Sequence, residues 1–136
     1  MSAPCDPVPR LPHAVPFVLV DRVVEIGERR GVFLKHVTAA DPCVAADGTL
    51  PSVFVLEALA QAGGALLAAL GNSAPMPGYL AGLDAFECPV VPRVGDTLRL
   101  EVEILRHVAN ATLFRGRALV GDTPCAAGRF TLALPR

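Results

Sequence analysis

The sequence predicts an α+β domain in which a strongly curved antiparallel sheet wraps one long helix. Three observations lead there. The stretch from Ser52 to Gly71, SVFVLEALAQAGGALLAALG, is apolar on nearly every side of a helical wheel, whereas a surface helix shows a polar face. Leu98, Leu100, Val102 and Ile104 alternate with Arg99, Glu101 and Glu103, the period of a half-buried strand. Other short apolar runs bounded by turn residues lie on both sides of the helix, and no internal repeat or linker divides them. One domain over 1–136 accounts for the whole chain.

Each element has its own signal. Pro4, Pro7, Pro9, Pro12 and Pro16 make 1–16 an extended lead-in, because proline suits neither a helix interior nor a central strand. Phe17 to Ile26 and Gly31 to Thr38 flank a polar turn at Glu28–Arg30 and read as a hairpin. In its second arm Val32, Leu34, His36 and Thr38 face one way, and Phe33, Lys35 and Val37 the other. Asp41 to Pro51 is a loop, and the helix starts near Pro51–Ser52 and stops near Gly71–Asn72. Gly78 to Pro92, Thr97 to Arg106, Thr112 to Val120 and Cys125 to Leu134 then read as an antiparallel meander.

Composition narrows the function classes. The chain has 136 residues, 52% hydrophobic and 18% charged, with a formal net charge of −1. Disordered chains have the opposite balance. Nucleic-acid binders carry clustered Lys and Arg, and here the basic residues are scattered. A mean hydropathy of +0.48 calls for a membrane span or unusually complete burial. Ser52 to Gly71 is long enough to span, but Glu57 lies inside it, at a cost of about 2.5–3.5 kcal/mol. No basic residue flanks the stretch closely, and the N-terminus lacks the charged and apolar regions of a signal peptide. A buried helix in a cytoplasmic protein is the expectation. Cys5, Cys43, Cys88 and Cys125 are widely separated, without C-x-x-C, and are expected as free thiols. The three His residues have no metal-ligand spacing, and no Gly-rich phosphate loop is present, so no cofactor is implied.

A helix apolar all round must be enclosed all round. Ala60, Gly63, Gly64, Ala65, Ala68 and Ala69 permit close approach on several sides, and a second copy could cover what one sheet leaves open. Within this helix Glu57 and Gln61 share a face. A buried carboxylate needs a partner or a raised pKa. One reading of Glu57 is an ion pair with an Arg that fixes the assembly. The other is a carboxyl held in an apolar tunnel for proton transfer or recognition.

A sheet wrapped around one helix is the hotdog architecture, and the chain resembles the hotdog β-hydroxyacyl-acyl-carrier-protein dehydratases of the FabZ/FabA type. Leu11-Pro12-His13 followed by Pro16-Phe17-Val18-Leu19-Val20-Asp21-Arg22-Val23 is similar to that family's L-P-H-x-x-P-F-L-L-V-D-R-V. Pro51 to Ala62 resembles P-G-V-L-x-x-E-A-x-A-Q. Tyr79 to Asp84, Pro89 to Pro92 and Gly95 to Leu98 look like F-x-G-I-D and P-V-x-P-G-D-x-L. One departure stands out. The family's catalytic His lies in a G-H-F-P-G motif before the helix, and here Asp41 to Pro51 is shorter and holds no His. The A-D-G-x-x-P of Ala46 to Pro51, followed by the E-x-x-A-Q of Glu57 to Gln61, instead resembles a divergent branch, dehydratases of aryl-polyene and related lipid pathways, whose subunits work with a dehydratase partner.

The resemblance implies the following chemistry. A base takes a proton from the α-carbon of a 3-hydroxyacyl thioester, the helix acid protonates the departing hydroxyl, and backbone N–H groups polarise the thioester carbonyl. Glu57 holds the acid position, and the helix start at Ser52 and Val53 offers N–H groups. Asp47 is the nearest ionisable loop residue, equally suited to a turn. His36 ends a strand before the loop, His107 lies in a turn, and His13 sits in a motif whose His is not the family's base. Leu50, Cys43 and Gln61 complete the candidate substrate-contacting set. Three functions remain open: a dehydratase with a relocated base, a non-catalytic acyl-binding subunit of a dehydratase pair, and a thioesterase using Asp47 or Glu57 to activate water. The ligand is expected to be an acyl thioester on acyl carrier protein or coenzyme A. The assembly is expected to be a homodimer or higher homo-oligomer, or a heterodimer with a second hotdog subunit. Arg93, Arg99 and Arg106 are candidates for docking an acidic carrier protein or phosphate, or plain solvated strand-face charges.

Overall fold

The computed structural model describes residues 18–71 and 79–133; the Pro-rich lead-in and His13 lie outside them. Six strands and one helix follow in the order β1 (Arg22–Ile26), β2 (Arg30–His36), α1 (Ser52–Gly71), β3 (Tyr79–Glu87), β4 (Thr97–Val108), β5 (Ala111–Val120) and β6 (Thr123–Ala133). They form one antiparallel sheet of spatial order β1-β2-β4-β5-β6-β3. Helix α1 packs across β2, β4, β5 and β6.

Alternation decides which side of each strand faces the helix. In β4 the buried set is Leu98, Leu100, Val102 and Ile104, and in β2 Phe33 and Lys35 point the same way through their pairing with Leu100 and Leu98. On β5 and β6 the facing pair Phe114 and Phe130 stack with ring centroids 5.1 Å apart. These rings meet Val55, Ala58, Leu59, Ala62, Ala65 and Leu66 in one core. The helix is buried over more than half of its length and forms the centre of that core.

Close approach between helix and sheet depends on glycine at matching places. A Cβ on Gly63 would stand 3.2 Å from both Leu132 and Phe130 and 3.3 Å from Phe114. Across the gap, a Cβ on Gly116 would come within 2.9 Å of Phe130. The helix therefore rests on the Phe114–Phe130 stack through its own backbone. Gly64, the next residue, is different: a Cβ there meets nothing within 4 Å.

One expectation is corrected. The four C-terminal strands do not form a simple meander. β4, β5 and β6 do, but β3 pairs with β6 at the far edge while β4 pairs with β2. The reason lies in exposure. β3 is open on both faces, with Tyr79 and Leu83 more than half exposed, so its alternation carried no preference for a neighbour. Bulges at Leu80/Gly82 and Asp84/Glu87 bend it further, with Ala85 at a φ of 53°. The N-terminal hairpin forms as expected, although its first strand begins only at Arg22.

The two adjacent glycines give a paired prediction. Gly63→Val overpacks the aromatic stack and lowers stability by about 1–3 kcal/mol. Gly64→Ala meets no atom and raises it by up to about 1 kcal/mol through helix propensity. Urea denaturation of both variants checks this.

Candidate functional site

The polar groups of α1 are arranged by the chain that precedes it. Gln61 is 2% exposed, and its Oε1 accepts a 2.8 Å hydrogen bond from the Leu19 backbone N–H. That bond fixes which end of the amide is which. The Nε2 end then donates to Glu57 Oε1 at 3.3 Å, one turn earlier on the same face. Glu57 itself is half-buried. The Leu19 amide, the glutamine and the carboxylate thus form one hydrogen-bonded track through an apolar wall.

A second track reaches the same place from β2. Lys35 points inward and is 3% exposed, and its Nζ meets Asp41 Oδ2 at 2.6 Å. Asp41 Oδ1 accepts from the Cys43 backbone N–H at 2.9 Å. Burial pushes the Asp41 carboxyl up, but the Lys35 ammonium and the Cys43 amide outweigh it, so its pKa lies below the ordinary value. The Cys43 thiol is pushed up by burial first, then by the Asp41 charge, with a further contribution from Glu57. Cys43 is therefore a neutral thiol on the loop side of Glu57, unsuited to be a nucleophile at neutral pH.

The loop between these tracks is tied down along its length. Thr49 donates both its N–H and its hydroxyl to Asp47 Oδ1, at 3.0 and 2.6 Å. Leu50 N–H bonds to Pro92 O and Val94 N–H to Gly48 O, both at 2.8 Å. Leu50 is fully buried, while Pro51 O receives the first helical N–H bonds from Phe54 and Val55. Ser52 and Val53 stand exposed at the helix start, a turn before Glu57.

Glu57, Gln61 and Cys43 are thus brought together, with Leu50, Ser52 and Val53 adjoining along the chain. Asp47 is on the exposed side of the loop; the Thr49 hydroxyl first, then its N–H, holds its pKa below the ordinary value. His36 is exposed, its Nδ1 3.1 Å from Thr97 Oγ1 and its backbone N–H donating to Asp21. His107 shares a 2.9 Å hydrogen bond with Thr112 near the β4–β5 turn. Arg93 donates to the Asp47 carbonyl at 3.2 Å, and Arg99 and Arg117 both grip Glu101. The residues missed in the sequence are Lys35 and Asp41. Their signal was available, since an inward-facing lysine requires a partner. A groove of about 590 Å³, lined by Glu101, Glu103, Arg115, Arg117 and Arg129, lies along the solvent side of the strands rather than at Glu57.

With this geometry the comparisons fall into place. The family model of ApeP-like dehydratases matches residues 5–136. The chain belongs to the ApeP-like dehydratase family. Among relatives of this ApeP-like chain, the 3-hydroxyacyl-[acyl-carrier-protein] dehydratase FabZ of Thermomicrobium roseum is 38% identical over 131 residues, covering 91% of this chain and 87% of that one. FabZ of Haemophilus ducreyi is 40% identical over 127 residues, covering 86% and 81%. The solved structure of the dehydratase heterocomplex ApeI:P from Xenorhabdus doucetiae superposes with a TM-score of 0.87 at 26% identity, covering 95% of this chain and 92% of that one. A hypothetical thioesterase from Streptococcus pneumoniae, solved with coenzyme A, superposes with a TM-score of 0.68 at 11% identity over 84% of each chain, a likeness of fold. The hotdog architecture of the ApeP-like chain is thereby shown, and it is a 3-hydroxyacyl-carrier-protein dehydratase-like protein.

The Lys35–Asp41 pair gives a pH-dependent prediction. Asp41→Ala leaves a buried ammonium without its partner and costs about 3–5 kcal/mol at pH 7. Because the folded carboxyl titrates below its ordinary value of 3.8, its contribution is present above that pH and is lost as pH falls through the folded value. The stability gap between wild type and variant therefore narrows in acid. Urea titrations at neutral pH and near pH 3 measure it.

Proposed function

We propose that the protein is a dehydratase of 3-hydroxyacyl thioesters carried on acyl carrier protein, with Glu57 as the acid. The single observation behind this is the Leu19–Gln61–Glu57 track, which orients one carboxyl group inside an apolar helix in a chain about 38% identical to FabZ. A thioester acidifies its α-carbon, so elimination of the 3-hydroxyl needs a base at that carbon and a proton for the departing oxygen. Glu57 supplies the proton. The exposed N–H groups of Ser52 and Val53 receive the thioester carbonyl, where negative charge develops. Cys43 and Leu50 supply apolar contact beside the reacting carbons.

A second reading is favoured by the loop. Asp41 to Pro51 contains no His, and the ApeI:P relative is a heterocomplex. In this reading the protein is a half-site that binds the acyl group while a second hotdog subunit provides the base. The open edge strand β3, with Tyr79, Leu80 and Leu83 exposed, is where such a subunit adds on, because an edge strand presents unpaired backbone groups. The same edge serves a homodimer. We place the protein in the cytoplasm, with the apolar helix as its core rather than a membrane span.

The assay follows conversion of 3-hydroxyacyl-carrier-protein to the enoyl product, with the protein alone and mixed with a FabZ-like hotdog subunit. Glu57→Gln is expected to lower kcat roughly 100-fold or more in whichever sample is active. Unchanged turnover in the variant, or thiol release without an enoyl product, overturns the dehydratase reading. Activity in the mixture alone selects the half-site form, and activity of the protein alone excludes it.

A further inference from the structure

Lys35 is the only lysine in the chain, and it stands where a lysine is least expected. Its neighbours on the inner side of β2 are Gly31 and Phe33, and a Cβ on Gly31 would come within 3.3 Å of Leu66 on α1. The ammonium is therefore held on the helix side of the sheet, 3% exposed, against an Asp41 side chain that is 8% exposed. Burying two charges costs free energy that their attraction repays only in good geometry. An apolar pair of similar size would serve stability as well or better. Stability alone does not account for the pair.

What the pair adds is direction. Lys35 Nζ donates to Asp41 Oδ2 at 2.6 Å, which leaves Oδ1 to accept from the Cys43 N–H at 2.9 Å. The Asp41 backbone holds the chain on either side, its N–H donating to Thr38 O at 3.1 Å and its carbonyl accepting from Val44 at 3.2 Å. Residues 38–44 are thus tied around one carboxylate whose orientation is set from β2. That tie delivers Cys43 into the core it shares with Leu50, Val55 and Ala58, the last two flanking Glu57 on α1. Besides burial, the charges of Asp41, Lys35 and Glu57 all act on the Cys43 thiol.

We propose that Lys35, acting through Asp41, is a positioning residue for the site: it orients the carboxylate that seats Cys43 and its loop against the Glu57 end of α1. This rests on the dehydratase reading above. The same loop leads into the helix start, so a loop that shifts takes Ser52 and Val53 out of register with a bound thioester. Errors of this kind fall on the chemical step. The pair touches no substrate; the loop transmits its effect.

The test compares wild type with Lys35→Met, Lys35→Met/Asp41→Asn and Lys35→Met/Asp41→Leu. In the first, the carboxylate loses its ammonium and is expected to turn to water. In the Asn double variant a neutral amide keeps an oxygen for the Cys43 N–H, and in the Leu double variant that acceptor is gone while the pair stays apolar and compact. Urea denaturation reports folding. Enoyl formation gives kcat and KM in whichever assembly is active, and peptide mass spectrometry follows iodoacetamide alkylation of Cys43. Lys35→Met and the Leu double variant are expected to lose roughly tenfold or more in kcat, with a smaller change in KM. Their Cys43 is expected to alkylate about tenfold faster as the loop opens. The Asn double variant is expected to restore both readouts to within about threefold of wild type, because the acceptor is kept. Equal kcat for the two double variants in an active assembly overturns the proposal, and so does unchanged alkylation in all three variants. Faster alkylation of the Leu double variant, in a protein that forms no enoyl product alone or mixed, sinks the dehydratase step and keeps the loop assignment. If the Leu double variant does not fold, Lys35→Met against the Asn double variant decides: no recovery overturns the proposal.

Discussion

A helix with no polar face can exist in water only inside something, and that requirement shapes the rest of the molecule. Covering it takes a sheet curved enough to reach β2 on one side and β6 on the other. The contact has to be close, because a loose fit would leave voids whose lining loses dispersion contacts. Gly63 and Gly116 make it close by removing side chains where the helix crosses the Phe114–Phe130 stack. Larger residues at either place would lift the helix off its support and open the whole interior. The high hydrophobic content of the chain is largely the cost of building this enclosure.

Inside such an enclosure each polar group has to be provided for. Two hydrogen-bonded tracks do this. One runs from the Leu19 amide through Gln61 to Glu57, the other from Lys35 through Asp41 to the Cys43 amide. They approach from opposite sides, one along the helix and one along the loop. Their bonds hold a carboxyl group in one orientation among alanines and leucines. Rigidity here comes from buried bonds that are costly to leave unmade.

The helix was legible in the sequence almost to the residue, because Pro51–Ser52 and Gly71 are local signals and enclosure is written in the absence of a polar face. β4 and β5 were legible from their period of two. The position of β3 was not, since an edge strand exposed on both faces has no alternation to say which neighbour it takes. Glu57 and Gln61 stood out as polar residues in an apolar run. Their bond to Leu19 could not be seen, because the partner is a backbone amide, and every residue has one. Lys35 and Asp41 were passed over since charged residues default to solvent, although Lys35 had been placed on the same side of its strand as the apolar Phe33 and Val37. Gly63 and Gly64 look alike in a sequence; only the coordinates of the sheet tell a filled site from an open one.

Strand β3 leads directly into the segment from Cys88 to Asp96, and that segment grips the loop before the helix through Leu50–Pro92, Gly48–Val94 and Thr49–Arg93. The outermost strand of the sheet and the first turn of the central helix are therefore joined by a short, stiff lever. A displacement of that strand is therefore passed through these bonds to the backbone that sets the helix start.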